Sequence, residues 1–307
     1  MSSGNIAEAN IAIVTERYCD VPYILKNENM HDLKASSMLA MSLFYLGDFE
    51  ESYNMYWTNK LGEQTLETFD PFGKTVKMIL EETGNNELIN LFSYVIKNDY
   101  PQNKEDSNER YPEFYQYNFF LQQCIEEANS IGVSSNDYFN QKLQRLFDSG
   151  DSVKIAQAHY IKAELALVNN NFSDAISFYL QASITEKHRA IYYGYCGNIL
   201  YKTFLQNPDD SITELISASI LTWRAIKLDE NNARWHYYEG MILLMLGMWF
   251  NKVKQPYKGF IYSSEMELKK ALSLLRNDQP GLRKAIEDIL RVVEKNITSI
   301  EGLSAFL

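Results

Sequence analysis

The sequence predicts an all-α protein built as a stack of α-helical hairpins. Apolar residues recur at helical spacing along most of the 307 residues, and no alternating run is long enough for a strand. Only 14 Gly and 7 Pro interrupt this pattern, which favours long helices joined by short turns. A chain of this length is long for one compact core, whereas an array of repeated units escapes that limit.

The apolar periodicity places helices in order along the chain. We predict them at residues 5–18, 32–46, 49–60, 71–83, 86–98, 113–130, 136–148, 153–169, 172–185, 189–205, 211–228, 232–250, 260–275 and 281–297. The one long polar stretch, 99–112, contains no apolar pattern and is predicted to be a loop or hinge. The chain therefore divides into N-terminal hairpins at 1–98, connecting helices at 113–150, and a C-terminal array with a capping helix at 151–307. The sequence leaves open whether these parts form one continuous array.

The N-terminal part has the pattern of helical hairpins. Residues 39–53, LAMSLFYLGDFEESY, contain two helical patterns joined at Gly47 and Asp48, which are typical turn residues. A weaker hairpin is predicted to turn at 84–86, Gly-Asn-Asn. Residues 113–150 match only a generic helical pattern.

The strongest hairpin pattern lies at 156–186, AQAHYIKAELALVNNNFSDAISFYLQASITE. A small residue, Ala163, lets the first helix approach the second closely, and Asn170 and Asn171 are predicted to form the turn. Phe172 is expected to pack beneath that turn. The predicted buried stripe of the second helix comprises Ala175, Tyr179 and Ala182.

The small residue recurs along the C-terminal part. Gly197 lies 34 residues after Ala163, and Gly240 lies 43 residues after Gly197. We place the nine extra residues near 206–213, so that this hairpin is lengthened. The third unit comprises 235–247 and 264–275, with a second insertion at 251–262.

This period and this placement of small residues resemble the tetratricopeptide repeat (TPR) family. Residues 39–53 are similar to the same repeat, with Ser52 in place of the usual Ala, and Glu230 stands where the family usually has Pro. The resemblance covers roughly half of the chain and implies a TPR-like α-solenoid. In such a fold, antiparallel hairpins form a right-handed superhelix, here with lengthened C-terminal hairpins and a terminal cap. A helix-turn-helix solenoid of another type is the competing architecture.

Sequence motifs of common enzyme sites are missing. The chain contains no P-loop, no Gly-x-Gly-x-x-Gly, no Gly-x-Ser-x-Gly and no His-Glu-x-x-His. His159 and His236 each lie four residues before a small residue of the repeat, where the resembled family commonly has a packed aromatic ring. We therefore predict no catalytic residue, no cofactor, no metal site and no enzyme activity. An all-helical enzyme or small-ligand sensor that uses the central groove is the alternative.

Charge and apolar patterning bear on partners and location. The net charge of −11 and the scattered Lys and Arg argue against nucleic acid, because a phosphate backbone would be repelled. The widely spaced Cys19, Cys124 and Cys196 are predicted to be reduced and buried. The longest apolar run, 241–250, is too short to span a bilayer, and the N-terminus lacks a leader pattern. We expect a cytoplasmic protein that does not insert into membranes.

The resemblance also implies a binding surface, because first helices line the concave face of such arrays. The corresponding positions here are mostly aromatic or apolar and predict a groove for a helix or extended segment of a partner protein, within a multi-subunit assembly. The predicted partner-binding residues are Tyr160, Glu164, Tyr195, Asn198, Tyr201, Tyr237, Tyr238 and Met241. Packing of these rings against the next repeat is the alternative. Members that clamp the acidic ends of chaperones use Lys, Arg and Asn at positions held here by residues such as Ser37 and Met41, so dicarboxylate-clamp chaperone binding is not expected.

Overall fold

A computed structural model shows an all-helical chain. The described residues are 3–27, 32–49, 51–52, 55, 117–206, 212–275 and 280–304. No strand occurs among them, which confirms the predicted all-α class. The predictions that lie outside the described residues are the helices at 71–83 and 86–98, most of the helix at 49–60, the turn at 84–86 and the loop at 99–112.

The described helices follow the predicted order, apart from a short helix at Asp20–Leu25 that was not predicted. The N-terminal helices are α1 (Ser3–Val14), α2 (Asp20–Leu25) and α3 (Leu33–Tyr45). The remaining helices are α4 (Tyr117–Ile131), α5 (Ser135–Phe147), α6 (Ser152–Val168), α7 (Phe172–Thr185), α8 (Ala190–Gln206), α9 (Ile212–Leu228), α10 (Ala233–Lys252), α11 (Lys258–Leu274) and α12 (Pro280–Ser304). Most bounds lie within a few residues of the prediction, although α12 continues well beyond residue 297.

The prediction of one helix at 5–18 was wrong, because the chain turns between α1 and α2. Glu16 has a φ of 57°, in the left-handed region, and the Arg17 N–H donates to the Ala12 carbonyl at 2.7 Å, which ends α1. Pro22 lies in the first turn of α2. Proline is tolerated there, because N–H groups of the first turn form no hydrogen bond within the helix. The turn directs Tyr18 into the core, where it is 2% exposed.

Consecutive helices pack against each other from α4 to α12. The tightest neighbours are the pairs α6–α7, α8–α9 and α10–α11, which correspond to the three hairpins found in the sequence. Each pair also contacts the next pair along the chain. Packing of this neighbour-to-neighbour kind is what a helical repeat requires, since one hairpin cannot bury its apolar stripe alone.

Small residues allow the paired helices to approach closely, as predicted. A Cβ added at Gly197 would lie 2.4 Å from Thr222 Oγ1 and 2.8 Å from the Ala218 carbonyl oxygen. A Cβ added at Gly240 would lie 2.6 Å from Leu268 Cγ. Contacts this short leave no room for a side chain, so glycine sets the separation of α8 from α9 and of α10 from α11.

The hairpin at 156–186 has the predicted local structure. Asn170 adopts a φ of 57°, and the side chain of Asn171 caps α7 by accepting from the Asp174 N–H at 3.2 Å. Phe172 packs against the main core. The predicted stripe is fully buried and consists of Ala175, Tyr179 and Ala182.

The N-terminal helices dock onto the α10–α11 hairpin, which the sequence did not predict. We use the term aromatic cluster for the rings of Tyr18, Phe44, Tyr45, Phe49, Phe250 and Phe260. The ring centroids of Phe44 and Phe260 lie 6.0 Å apart, and those of Tyr45 and Phe250 lie 6.2 Å apart. Gly259 is required at this contact, because an added Cβ would lie 2.3 Å from the Tyr45 carbonyl oxygen.

The three cysteines are free thiols, but not all of them are buried. Cys124 and Cys196 are buried as predicted, and burial raises the pKa of the Cys196 thiol. The prediction was wrong for Cys19, which is exposed because it occupies the turn before α2. None of the described helices combines the length and apolarity needed to cross a bilayer.

Candidate functional site

Aromatic side chains of α6, α7, α8 and α10 form one continuous run of rings. We term this run the aromatic ladder, and it comprises Tyr160, Tyr179, Tyr195, Trp235, Tyr238 and Tyr237. Successive ring centroids lie between 5.6 and 6.2 Å apart. These separations lie in the range in which aromatic pairs attract each other. The ladder thus connects all three C-terminal hairpins and brings together residues predicted separately in each.

A glycine creates the space that joins two parts of the ladder. A Cβ added at Gly194 would lie 2.4 Å from ring atoms of Trp235. The indole of α10 therefore lies directly against the α8 backbone, where it meets the Tyr195 ring edge-on at 5.6 Å. The sequence analysis missed Trp235 as a ladder residue, although its spacing from Tyr238 places both on one helical face.

The structure divides the predicted binding residues into an inner and an outer set. Tyr160 is 3% exposed and Asn198 is 8% exposed, so both belong to the interior. The partly exposed residues are Glu164, Tyr195, Tyr201, Tyr237, Tyr238 and Met241. The outer rings rest on buried ones, since Tyr179 and Trp235 are themselves buried.

The Glu164 carboxylate is engaged within the fold. It accepts a hydrogen bond from the Tyr179 hydroxyl and interacts with the Tyr160 hydroxyl. Burial, together with the Glu164 charge, raises the pKa of both tyrosines, so both remain protonated donors. This network ties α6 to α7 at one end of the ladder.

Arg234 lies at the exposed edge of the ladder and was not predicted as a site residue. The Asn232 side chain caps α10 by accepting from the Arg234 N–H at 3.1 Å. The Arg234 guanidinium donates from Nη1 to the Tyr195 hydroxyl oxygen at 2.7 Å. Burial raises the pKa of Tyr238 to about 12, and the Arg234 charge acts in the opposite direction.

A second group of polar side chains is buried between α9, α10 and α11. We term it the buried polar cluster. The Ser219 hydroxyl donates to Glu239 Oε1 at 2.5 Å, and burial raises the pKa of the Glu239 carboxyl well above its ordinary value. His236 places Nδ1 2.6 Å from Glu267 Oε2 and Nε2 2.9 Å from the Glu230 carbonyl oxygen. Burial acts to lower the pKa of His236, but these hydrogen bonds outweigh it and raise that pKa.

The buried polar cluster joins neighbouring helices. Both ring nitrogens of His236 have partners, and Glu239 is 2% exposed. The predicted packed position of His236 is therefore confirmed, whereas its pairing with Glu267 was not foreseen. The sequence did contain one sign of a buried polar group, because Glu239 shares one face of α10 with the apolar Ile242 and Leu246.

His159 also has the predicted packed position. Its ring centroid lies 4.9 Å from that of Phe147 and 6.4 Å from that of Phe178. Burial lowers the pKa of His159, which favours the neutral ring. Within the part of the chain that the structure describes, no three His, Cys, Asp or Glu side chains come together as metal ligands.

No family model matches the sequence, and no curated protein matches it. The resemblance to tetratricopeptide repeats therefore stays a prediction, supported by the repeat period and the small residues.

Proposed function

We propose that this chain is a non-catalytic scaffold that holds a helix or an extended segment of a partner protein on the aromatic ladder, within a multi-subunit assembly. We also propose that the hairpins belong to a TPR-like α-solenoid with a right-handed superhelical course, whose first helices α6, α8 and α10 line the concave face. The aromatic ladder is the observation that carries this proposal. It supplies a continuous strip of rings across three hairpins, with the outer rings accessible to a partner.

Partly exposed tyrosines on rigid helices are well suited to binding a polypeptide. A tyrosine buries a large area on contact and loses little conformational freedom, because its side chain has only two main torsions. The outer rings of Tyr195 and Tyr238 contact the buried Trp235, which limits their movement before any partner binds. Such preorganisation reduces the entropy lost on association.

The competing function is an enzyme or a small-ligand sensor that uses the central groove, and the buried polar cluster offers candidate groups for it. Its titratable groups have shifted pKa values, which is a property of many active sites. Glu239, however, already accepts from Ser219 and is only 2% exposed, and His236 already bonds to Glu267. We therefore favour the scaffold.

Selection of peptides on the full chain tests the proposal. A phage library of random twelve-residue peptides would be selected on the wild-type chain, on a Tyr195→Ala, Tyr238→Ala double variant and on Tyr23→Ala. Tyr23 is a matched control, since it is 72% exposed on α2 and lies outside the ladder. We expect peptides rich in Leu, Phe and Trp to be enriched on wild type and on the Tyr23 variant, and to be lost on the double variant.

Two results would contradict the scaffold proposal. One is the failure of any peptide to be enriched on the wild-type chain. The other is equal enrichment on the double variant whose helical content, measured by circular dichroism, matches wild type. If the double variant unfolds, Tyr237→Ala provides the same comparison, because Tyr237 lies at the partly exposed end of the ladder and contacts Tyr238.

A further inference from the structure

We infer that Arg234 is an anion contact at the edge of the aromatic ladder, which selects partner segments that carry an aspartate or glutamate beside their apolar residues. This inference rests on the proposed function, because it specifies the chemistry of the segment held there. Its basis is one exposed guanidinium that donates a hydrogen bond to the Tyr195 phenol at the edge of the ladder.

The Tyr195 contact orients the guanidinium without neutralising it. The bond of 2.7 Å joins Arg234 Nη1 to a phenol oxygen, and a phenol is uncharged at neutral pH. Arginine has five N–H donors, and the side-chain hydrogen bond to Tyr195 uses only one of them. The Tyr195 hydroxyl accepts this bond and still has its own proton to donate. A bound carboxylate can therefore receive hydrogen bonds from both the guanidinium and the phenol.

Two other exposed arginines among the described residues are held by carboxylates. The exposed Arg17 and Arg291 form ion pairs with Asp20 and Asp288. Arg234 has no carboxylate within ion-pair distance among the described residues, although the chain contains 40 Asp and Glu. A guanidinium held by a phenol instead of a carboxylate keeps its full charge for a ligand.

Local charge complementarity favours an acidic partner segment. The whole chain has a net charge of −11, which would repel acidic segments from most of its surface. At the ladder, the Glu164 carboxylate is already bonded to Tyr179, whereas the Arg234 charge faces solvent. We assign the anion to a carboxylate and not to a phosphoryl group, because phosphoryl groups usually recruit a cluster of cations.

Two matched peptide libraries test this inference. Each contains twelve-residue peptides with random sequence, except that the seventh position is Asp in one library and Asn in the other. The mixed libraries would be selected on the wild-type chain, on Arg234→Gln and on Arg145→Gln. Arg145 is the matched control, because it is an exposed arginine on α5, outside the ladder.

We expect the Asp library to exceed the Asn library by about five-fold on wild type, which is the upper range for an exposed ion pair. The preference should persist on the Arg145 variant, vanish on the Arg234 variant and decrease as NaCl is raised. Equal recovery of both libraries on wild type, or an Asp preference that survives Arg234→Gln, would overturn the inference. Stronger displacement of bound phage by inorganic phosphate than by acetate would overturn the carboxylate assignment.

The two proposals fail in different ways. If both libraries are enriched equally on wild type and lost on the Tyr195→Ala, Tyr238→Ala variant, the scaffold proposal stands and the role of Arg234 is refuted. If neither library is enriched on wild type, both proposals are refuted.

Discussion

Replacement of Gly197 by alanine tests whether close helix contact holds the hairpins together. Gly197 lies in the middle of α8 and faces α9, where a Cβ would meet Thr222 Oγ1 at 2.4 Å and the Ala218 carbonyl oxygen at 2.8 Å. The same carbonyl accepts the Thr222 hydroxyl at 2.8 Å, so an added methyl group would disturb that bond as well. Because one obstacle is backbone, the two helices must move apart to admit alanine.

The size of the effect follows from two opposing contributions. Overpacking of a well-packed interior destabilises a protein by about 1–3 kcal/mol. The higher helix propensity of alanine returns about 1 kcal/mol. We therefore expect Gly197→Ala to lower the free energy of unfolding by about 1 kcal/mol and at most about 2 kcal/mol. Gly281→Ala is the matched control, since Gly281 lies in α12 with no atom within 4 Å of an added Cβ, and it should leave stability unchanged or slightly raised.

Urea unfolding followed by far-ultraviolet circular dichroism measures both variants under identical conditions. A lower midpoint with an unchanged slope reports lost stability, not a change in the surface exposed on unfolding. If Gly197→Ala proves as stable as Gly281→Ala, the close approach of α8 and α9 does not contribute as argued, and the role assigned to the small residues of the repeat is refuted.

Two further predictions concern the buried contacts of α10 and α11. Burial raises the pKa of the Glu239 carboxyl above its unfolded value of 4.5, so wild-type stability should fall as pH rises above about 4.5 and the unfolded state ionises first. The Gln side chain of Glu239→Gln can still accept from Ser219 and cannot ionise. The melting temperature of this variant should therefore exceed that of wild type at mildly alkaline pH and lose this advantage below about pH 4.5. An advantage that does not depend on pH would contradict the raised pKa of Glu239. Phe260→Ala removes a fully buried ring that meets Phe44 and Phe250. We expect it to lower the free energy of unfolding by about 3–5 kcal/mol and to expose the α1–α3 segment to limited proteolysis. Unchanged cleavage would show that the aromatic cluster does not hold this segment.

Local patterns predicted much of the C-terminal hairpins correctly. The turn at Asn170 and Asn171 and the stripe that contains Tyr179 depend on residues at most a few positions apart, and helical spacing alone places them. The family resemblance predicted Tyr160, Tyr195, Tyr237 and Tyr238 on first helices, and they lie there. It could not decide how exposed each would be, because the exposure of Tyr160 or Tyr195 depends on which ring the neighbouring hairpin brings against it.

Residues distant in sequence account for what was missed. The Arg234 contact with Tyr195 spans 39 residues, and the His236 contact with Glu267 spans 31. The sequence separation of each pair does not distinguish it from other polar residues of the chain, so the sequence alone did not predict these contacts. Only Glu239, an acid on an apolar helical face, carried a local sign of burial.

The sequence by itself determined the all-α class, the positions of most helices and the small residues that let them pair, because these properties depend on side chains within one or two helical turns. Tertiary structure decided the rest. The Lys258 N–H approaches the Glu16 carboxylate at 3.4 Å across 242 residues, at the point where the N-terminal helices dock onto the α10–α11 hairpin. Such contacts depend on how complete apolar surfaces fit together, and that fit exists only once the helices are assembled.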